Sequence, residues 1–273
     1  MKEPAHYPPS KELTNYICSY GILESPEHID DPYFSPPIAL SGFIITTINS
    51  RGIFHAKIGD RNHYSSQAVA TGQITEPVHG ISIGHQRILL IFFRPTGMHE
   101  LFGNDMSKIT DSSMPLEALI GADKTKILLQ NLTKHQTDDY QIDCLNTFFE
   151  KYITTSSKTI CNLKRILDYI HQKKGEMDIT ELEKYGYCQR KTLERHFSKI
   201  IGLSPKKYCQ IYQFKCLIQL IHERPKMTWS ELALQAGYYD LSHMSRYIKE
   251  YLRVTPNNMV HLDMNFINYL LSR

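Results

Sequence analysis

No stretch of about 18 consecutive apolar residues occurs in the 273-residue chain, so no hydrophobic membrane span is expected. The opening segment, "MKEPAHYPPSKEL", lacks the apolar centre of a secretory signal, which predicts a cytoplasmic protein with no membrane partner. No CxxC occurs. The six cysteines, at 18, 144, 161, 188, 209 and 216, are scattered, which suits reduced thiols better than a disulfide frame or a structural zinc site. Phosphate loops and dinucleotide fingerprints are absent, so no cofactor is expected. One string, "GISIG" at 80–84, matches the G-x-S-x-G nucleophile elbow. That motif needs a strand, a sharp turn and a helix, whereas "HQRILLIFF" follows here and reads as a strand, so Ser82 is expected in a hairpin and no catalytic residue is assigned. The histidines at 55, 63, 79, 85 and 99 form no H-x-H, and no Glu stands at ligand spacing from them, so no metal is expected.

Charge, by contrast, is unevenly placed. Residues 1–157 hold 12 Lys/Arg against 17 Asp/Glu, a net of −5, while residues 158–262 hold 18 against 10, a net of +8. A basic second half beside an acidic first half is the electrostatic footprint of a polyanion-binding domain.

The periodicity changes along the chain as well. Through about residue 110, β-branched runs ("SGFIITTI", "IFHAKIG", "AVATGQI", "GISIGHQRILLIFF") alternate with turn segments such as "NSRG" and "DRNHYSS", which predicts an antiparallel barrel or sandwich. From about Gly97 the spacing is helical. Ile142, Leu145, Phe149 and Tyr152 form one stripe, which either packs on its own β-rich domain or forms a homodimer interface. "TTSSKT" at 154–159 is a polar joint. The expected organisation is an α+β chain. It comprises a β-rich then helical domain over 1–153, a linker over 154–159, an all-α domain over 160–262 and a tail over 263–273.

The basic half contains a loose internal repeat: a short helix, a turn bearing Gly186 or Gly237, and a longer helix in which Arg195 or Arg246 lies nine residues past the glycine. Helix-turn-helix units are built this way, with a bracing helix followed by a recognition helix for the DNA major groove. Leu193, Phe197, Trp229, Met244 and Tyr247 are the expected core positions. "GLSP" at 202–205 ends one helix and starts the next, and "TWSE" at 228–231 has the form of a capping box. The intervening helix, about 18 residues, spans roughly 27 Å. That is comparable with the spacing of about 34 Å between successive major grooves.

"TLERHFSKIIGLSPKKY" and "ELALQAGYYDLSHMSRYIKEYLRVTP" together resemble the DNA-binding domain of the AraC/XylS family of bacterial transcription regulators, over about residues 158–262. The second unit carries Ala233, Gly237, Tyr238, Ser242, Arg246 and "VTP" as that family does. "FFRPTGMHELFG" and "MPLEALIG" resemble stretches in sensor domains of some of its members, which are cupin-like barrels followed by helices. The resemblance implies a sequence-specific regulator that binds double-stranded promoter DNA, with a small-molecule effector and RNA polymerase as further candidate partners, and no enzyme. It places Arg190, Lys191, Glu194 and Arg195 at DNA from the first unit, and Leu241, Ser242, His243, Ser245 and Arg246 from the second. Lys206 and Lys207 fall at phosphates. A cupin-like metal enzyme fused to a DNA-binding module, and a regulator answering to a protein partner, are the alternatives. The sequence departs from the family pattern at Glu183, Gln189 and Gln213, at Gly186, which is offset by about one residue, and at Arg253, where a glycine is usual.

Overall fold

The structure is a computed structural model, described here for residues 5–25, 31–59, 61–64 and 67–271. Its front part is one antiparallel sheet of β1 (Ala5–Tyr7), β2 (Ile17–Ser25), β3 (Asp31–Ser35), β4 (Ser41–Ile58), β5 (Arg61–Tyr64), β6 (Ala68–Thr71), β7 (Val78–Phe93) and β8 (Ser113–Pro115). The main path runs β1-β2-β7-β4-β6-β8, with β3 paired to the early half of β7 and β5 to the late half of β4. β4 and β7 form the spine, and their near-continuous apolar runs have a physical cause: both faces of the sheet are covered. Phe43, Ile45, Leu89, Ile91 and Phe93 pack on one face with α1 (Gly97–Phe102), α2 (Leu116–Ile120), α3 (Ala122–Leu132) and α4 (Asp138–Glu150). On the other face Leu40 and Phe92 meet a helix from the far end of the chain.

One of the expected turns is not a turn. Residues 49–52 continue as strand within β4, where the ladder to β7 shifts register between Thr46 and Ile48 and again between Ser50 and Ile53. The extra residues are absorbed as bulges that bend the strand instead of reversing it. Of the second expected stretch, 60–66, residues 61–64 form β5 as the return strand of a hairpin with β4, and residues 60, 65 and 66 lie outside the described ones. Ser82 lies within β7, opposite Phe54 and Asp31, so no strand–turn–helix elbow forms there. The side chains of Ser82, His55 and His63 lie outside the described ones. Among the described residues no three His, Cys, Asp or Glu side chains gather at a metal-binding distance.

The stripe Ile142, Leu145 and Phe149 of α4 is buried in its own sheet domain, with Tyr152 packed half-buried at its end. Arg87, buried on β7, ties the same helix down: its Nε donates to Gln141 Oε1 at 3.0 Å, and its guanidinium pairs with Asp138 at the helix start.

The second part is all helical: α5 (Lys158–Gln172), α6 (Ile179–Gly186), α7 (Arg190–His196), α8 (Pro205–Glu223), α9 (Trp229–Gln235), α10 (Leu241–Leu252) and α11 (Met264–Leu271). None of the described helices is long and apolar enough to cross a membrane. A single core, with Ile211, Phe214, Leu217 and Ile218 of α8 fully buried at its centre, gathers residues from all seven. The segment 263–273, expected as a tail, holds α11, whose Ile267, Tyr269, Leu270 and Leu271 are buried.

The two parts are fastened together. Glu100 of α1, only 2% exposed, accepts from Lys164 Nζ of α5 at 2.9 Å, from Ser156 Oγ at 2.6 Å and from Thr96 Oγ1 at 2.6 Å. Thr110 Oγ1 donates to the carbonyl of Gly202.

Candidate nucleic-acid interface

Both expected helix-turn-helix units form, and they differ in how their turns are made. In the second unit, α9 opens with a complete capping box: the backbone N–H of Glu231 donates to Thr228 Oγ1, and that of Thr228 donates to the Glu231 carboxylate. These bonds hold the Glu231 carboxyl below its usual range. The turn is made by Gly237 at φ +74°, a left-handed conformation that costs glycine little. Gln213, standing in α8 where the family often has Arg, donates through Nε2 to the carbonyls of Ala236 (3.0 Å) and Gly237 (2.9 Å). The bracing turn is thus held from the core side. Asp240 then caps α10, accepting from the His243 N–H at 2.7 Å.

In the first unit the left-handed position is Tyr187, at φ +48°, one residue past Gly186. Gly186 serves a different purpose, since a Cβ there would stand 2.7 Å from Ile166 Cδ1 of α5. The one-residue offset seen in the sequence therefore separates close packing from turn geometry. Gln189 stands at the N-cap of α7 without a side-chain capping bond, and the helix ends in a π turn over Phe197–Ile201 before Gly202.

Of the side chains expected at DNA, Arg190, Lys191 and Arg195 are exposed along α7. Glu194 is half-buried and accepts from Arg190 Nε at 2.9 Å, which strengthens the hold of Arg190 on its proton. On α10, Leu241, Ser242 and Arg246 are exposed, with His243 and Ser245 half-buried. The Arg246 guanidinium lies 5.4 Å from the Tyr247 ring. His243 packs edge-on to Tyr238 and Tyr247, so its ring braces the turn. Lys206 is exposed at the start of α8, whereas Lys207 pairs with Glu250 at 2.9 Å and covers the Tyr251 ring, joining α8 to α10.

Leu193, Phe197, Met244 and Tyr247 are buried, and Trp229 sits at the rim with Nε1 donating to Asn257 Oδ1 at 3.1 Å. Two residues that the sequence reading passed over stand out. Tyr187 and Tyr239 are each 87% exposed and lie in the turn just ahead of a recognition helix. Their signal was an aromatic one or two places after the turn glycine, hard to separate from the neighbouring Tyr238, which is buried.

Two exposed recognition helices locked onto one helical core beside a separate β-rich unit define a DNA-binding regulator. Residues 184–261 match a helix-turn-helix domain family, and residues 5–115 match a domain of unknown function, DUF6597. The helix-turn-helix domain at the C-terminal end is of the AraC type. Comparison with curated proteins gives no match. Solved structures with a similar fold include ToxT from Vibrio cholerae, 11% identical at a TM-score of 0.50, with 89% of this chain and 97% of that one covered. A second structure, of ToxT bound to (E)-4-(8-methylnaphthalen-1-yl)but-3-enoic acid, is 12% identical at a TM-score of 0.50 over 92% of this chain and 98% of that one.

Proposed function

We propose that this regulator reads operator DNA by placing α7 and α10 in successive major grooves on one face of the duplex, under control of a small molecule bound by its front domain. The observation that carries this is the shared core. Because both units pack on α8, their spacing cannot drift, and its 19 residues span about 28 Å, near the groove repeat of about 34 Å. Arg195 and Arg246 then serve as bidentate readers of guanine. Ser242 and Ser245 hydrogen-bond adaptably, and Leu241 meets a thymine methyl. Lys191, Lys206 and the hydroxyls of Tyr187 and Tyr239 hold phosphates, which positions the helices without specifying sequence. Lys207 contributes chiefly by fixing α8 to α10. The front domain over 1–153 is the sensor and 160–262 the reader, joined at 154–159. Small-molecule control is supported by the ToxT complex with an organic acid and by an apolar cavity in the β-rich unit.

The test is footprinting and salt titration of the full chain on bacterial promoter fragments. Two protected half-sites about one helical turn apart are expected. Log affinity should fall with log salt at a slope near −5, for about six neutralised phosphates. A single protected half-site would remove the two-groove reading, and affinity independent of salt would remove the DNA contacts themselves.

A further inference from the structure

A cavity of about 160 Å³ lies on the face of the sheet opposite α1–α4. Leu40, Ile44, Val69, Ile88, Leu90 and Phe92 supply much of its wall, Tyr33 of β3 closes one side, and Leu270 of α11 closes another. For scale, a cavity of about 150 Å³ lined by Leu, Ile and Phe takes up benzene. The space therefore suits one ring, or a chain of similar bulk.

Two features narrow the chemistry. First, no Lys, Arg, His, Asp or Glu is among the described residues of the wall. An ionised carboxylate or ammonium entering it would lose its hydration with no counter-charge to replace it, at a cost of several kcal/mol. Second, the hydroxyl of Thr71, a wall residue, is buried and has no hydrogen-bond partner among the described residues. Thr71 stands directly opposite Gly42, which in turn stands opposite Phe92, so the three share one row on the cavity face. Gly42 has no side chain to cover the Thr71 hydroxyl, and a Cβ there would come within 2.8 Å of the Ile91 carbonyl oxygen.

We propose that the effector is a neutral, largely apolar small molecule with one hydrogen-bonding group, seated with that group at Thr71. This rests on the reading of the front domain as the sensor. The site also has a route to the DNA reader, because α11 contributes Leu270 to the wall while its Leu271 carbonyl accepts from Gln219 Nε2 of α8 at 3.2 Å.

The experiment is calorimetric titration of the full chain at pH 7.5 with matched pairs, 2-phenylethanol against phenylacetate and 1-hexanol against hexanoate, with propylbenzene as the hydrocarbon isostere of the first alcohol. The alcohols should bind at least about 10-fold more tightly than their carboxylates, from the cost of an unpaired buried ion. Thr71→Val keeps the β-branched shape and should lower the preference for 2-phenylethanol over propylbenzene by about 3- to 10-fold, the loss of one hydrogen bond. Ile44→Trp, which fills the space, should weaken both. Carboxylates binding as tightly as the alcohols, or no member of either pair binding to the folded chain, would overturn the proposal. Operator affinity is measured in parallel. An alcohol that binds without changing it would leave the ligand class standing and count against effector control.

Discussion

Arg246 and Lys206 are both exposed cations on the helical domain, yet they occupy different kinds of position. Arg246 sits within the first two turns of α10, the part of a recognition helix that meets base edges, whereas Lys206 stands at the start of a bracing helix. Arg246→Ala should therefore cost about 1–3 kcal/mol on the operator and less on random DNA, while Lys206→Ala should weaken both alike. Competition binding with operator and shuffled duplexes separates the two, and equal losses for Arg246→Ala would make it a phosphate contact. A second residue-scale expectation concerns His171. Its ring stacks on Tyr212 at 4.2 Å, and its Nε2 lies 2.9 Å from the Tyr208 hydroxyl. Burial, with nearby Lys215, pushes its pKa down to about 4. The unfolded chain binds this proton below about 6.5 and the folded chain only near 4, so stability should be full above pH 6.5 and fall as pH drops from there toward 4. The loss is of order 1–3 kcal/mol. His171→Gln should flatten the dependence in urea titrations between pH 7.5 and pH 5.

At the scale of the element, the end of α10 carries a departure from the family with a measurable consequence. Arg253 takes a left-handed φ of +60° at the helix C-cap, where the family has glycine, and its distance to Glu76 is 3.9 Å. A non-glycine residue there costs roughly 1 kcal/mol, and an exposed ion pair returns only about 0–1 kcal/mol. Arg253→Gly should consequently raise the unfolding midpoint modestly, and a lower midpoint would show that the Glu76 contact outweighs the backbone strain. β4 shows the opposite relation between local signal and outcome. Asn, Ser, Arg and Gly at 49–52 have the composition of a hairpin turn, but pairing to β7 on both sides carries the strand through as bulges. Similarly, the stripe Ile142, Leu145 and Phe149 was compatible with a dimer interface, and the sheet of the same chain covers it. Leu145→Asp should unfold the front domain and so cannot report on association.

Over the whole molecule, the front part and the helical part are joined by the Glu100–Lys164 pair, in which the Glu100 side chain is only 2% exposed. Glu100 also accepts from Thr96 and Ser156, so removing Lys164 leaves an anion held only by neutral donors. Lys164→Met should cost about 1–3 kcal/mol, the upper end discounted because the lysine is partly exposed. It should also speed proteolysis at the joint 154–159 without altering the affinity of the reader for DNA in the absence of effector. An unchanged cleavage rate would mean that the apolar contacts of α11, and the packing of Ala39 on the helical core, hold the two parts on their own.

Periodicity and end signals were enough to locate α5 to α10, because each helix carries its own instructions. Ser157, Asp178, Ser204, Thr228 and Asp240 each cap the helix that follows, and Gly202 and Gly237 make turns that follow directly from their freedom at positive φ. The charge asymmetry and the repeated glycine-to-arginine spacing then pointed to DNA. The sheet was legible as strands but not as a pairing scheme. Its register depends on contacts between segments far apart in sequence, such as Gly42 with both Thr71 and Phe92, and no local pattern encodes them. The cavity beside those residues has the same origin, since its wall is assembled from six strands and α11. The role of Gly186 and the pairing of Lys207 with Glu250 likewise came only from the folded chain. Local rules specify where a helix begins and which face it buries, whereas what that face meets is decided by tertiary packing.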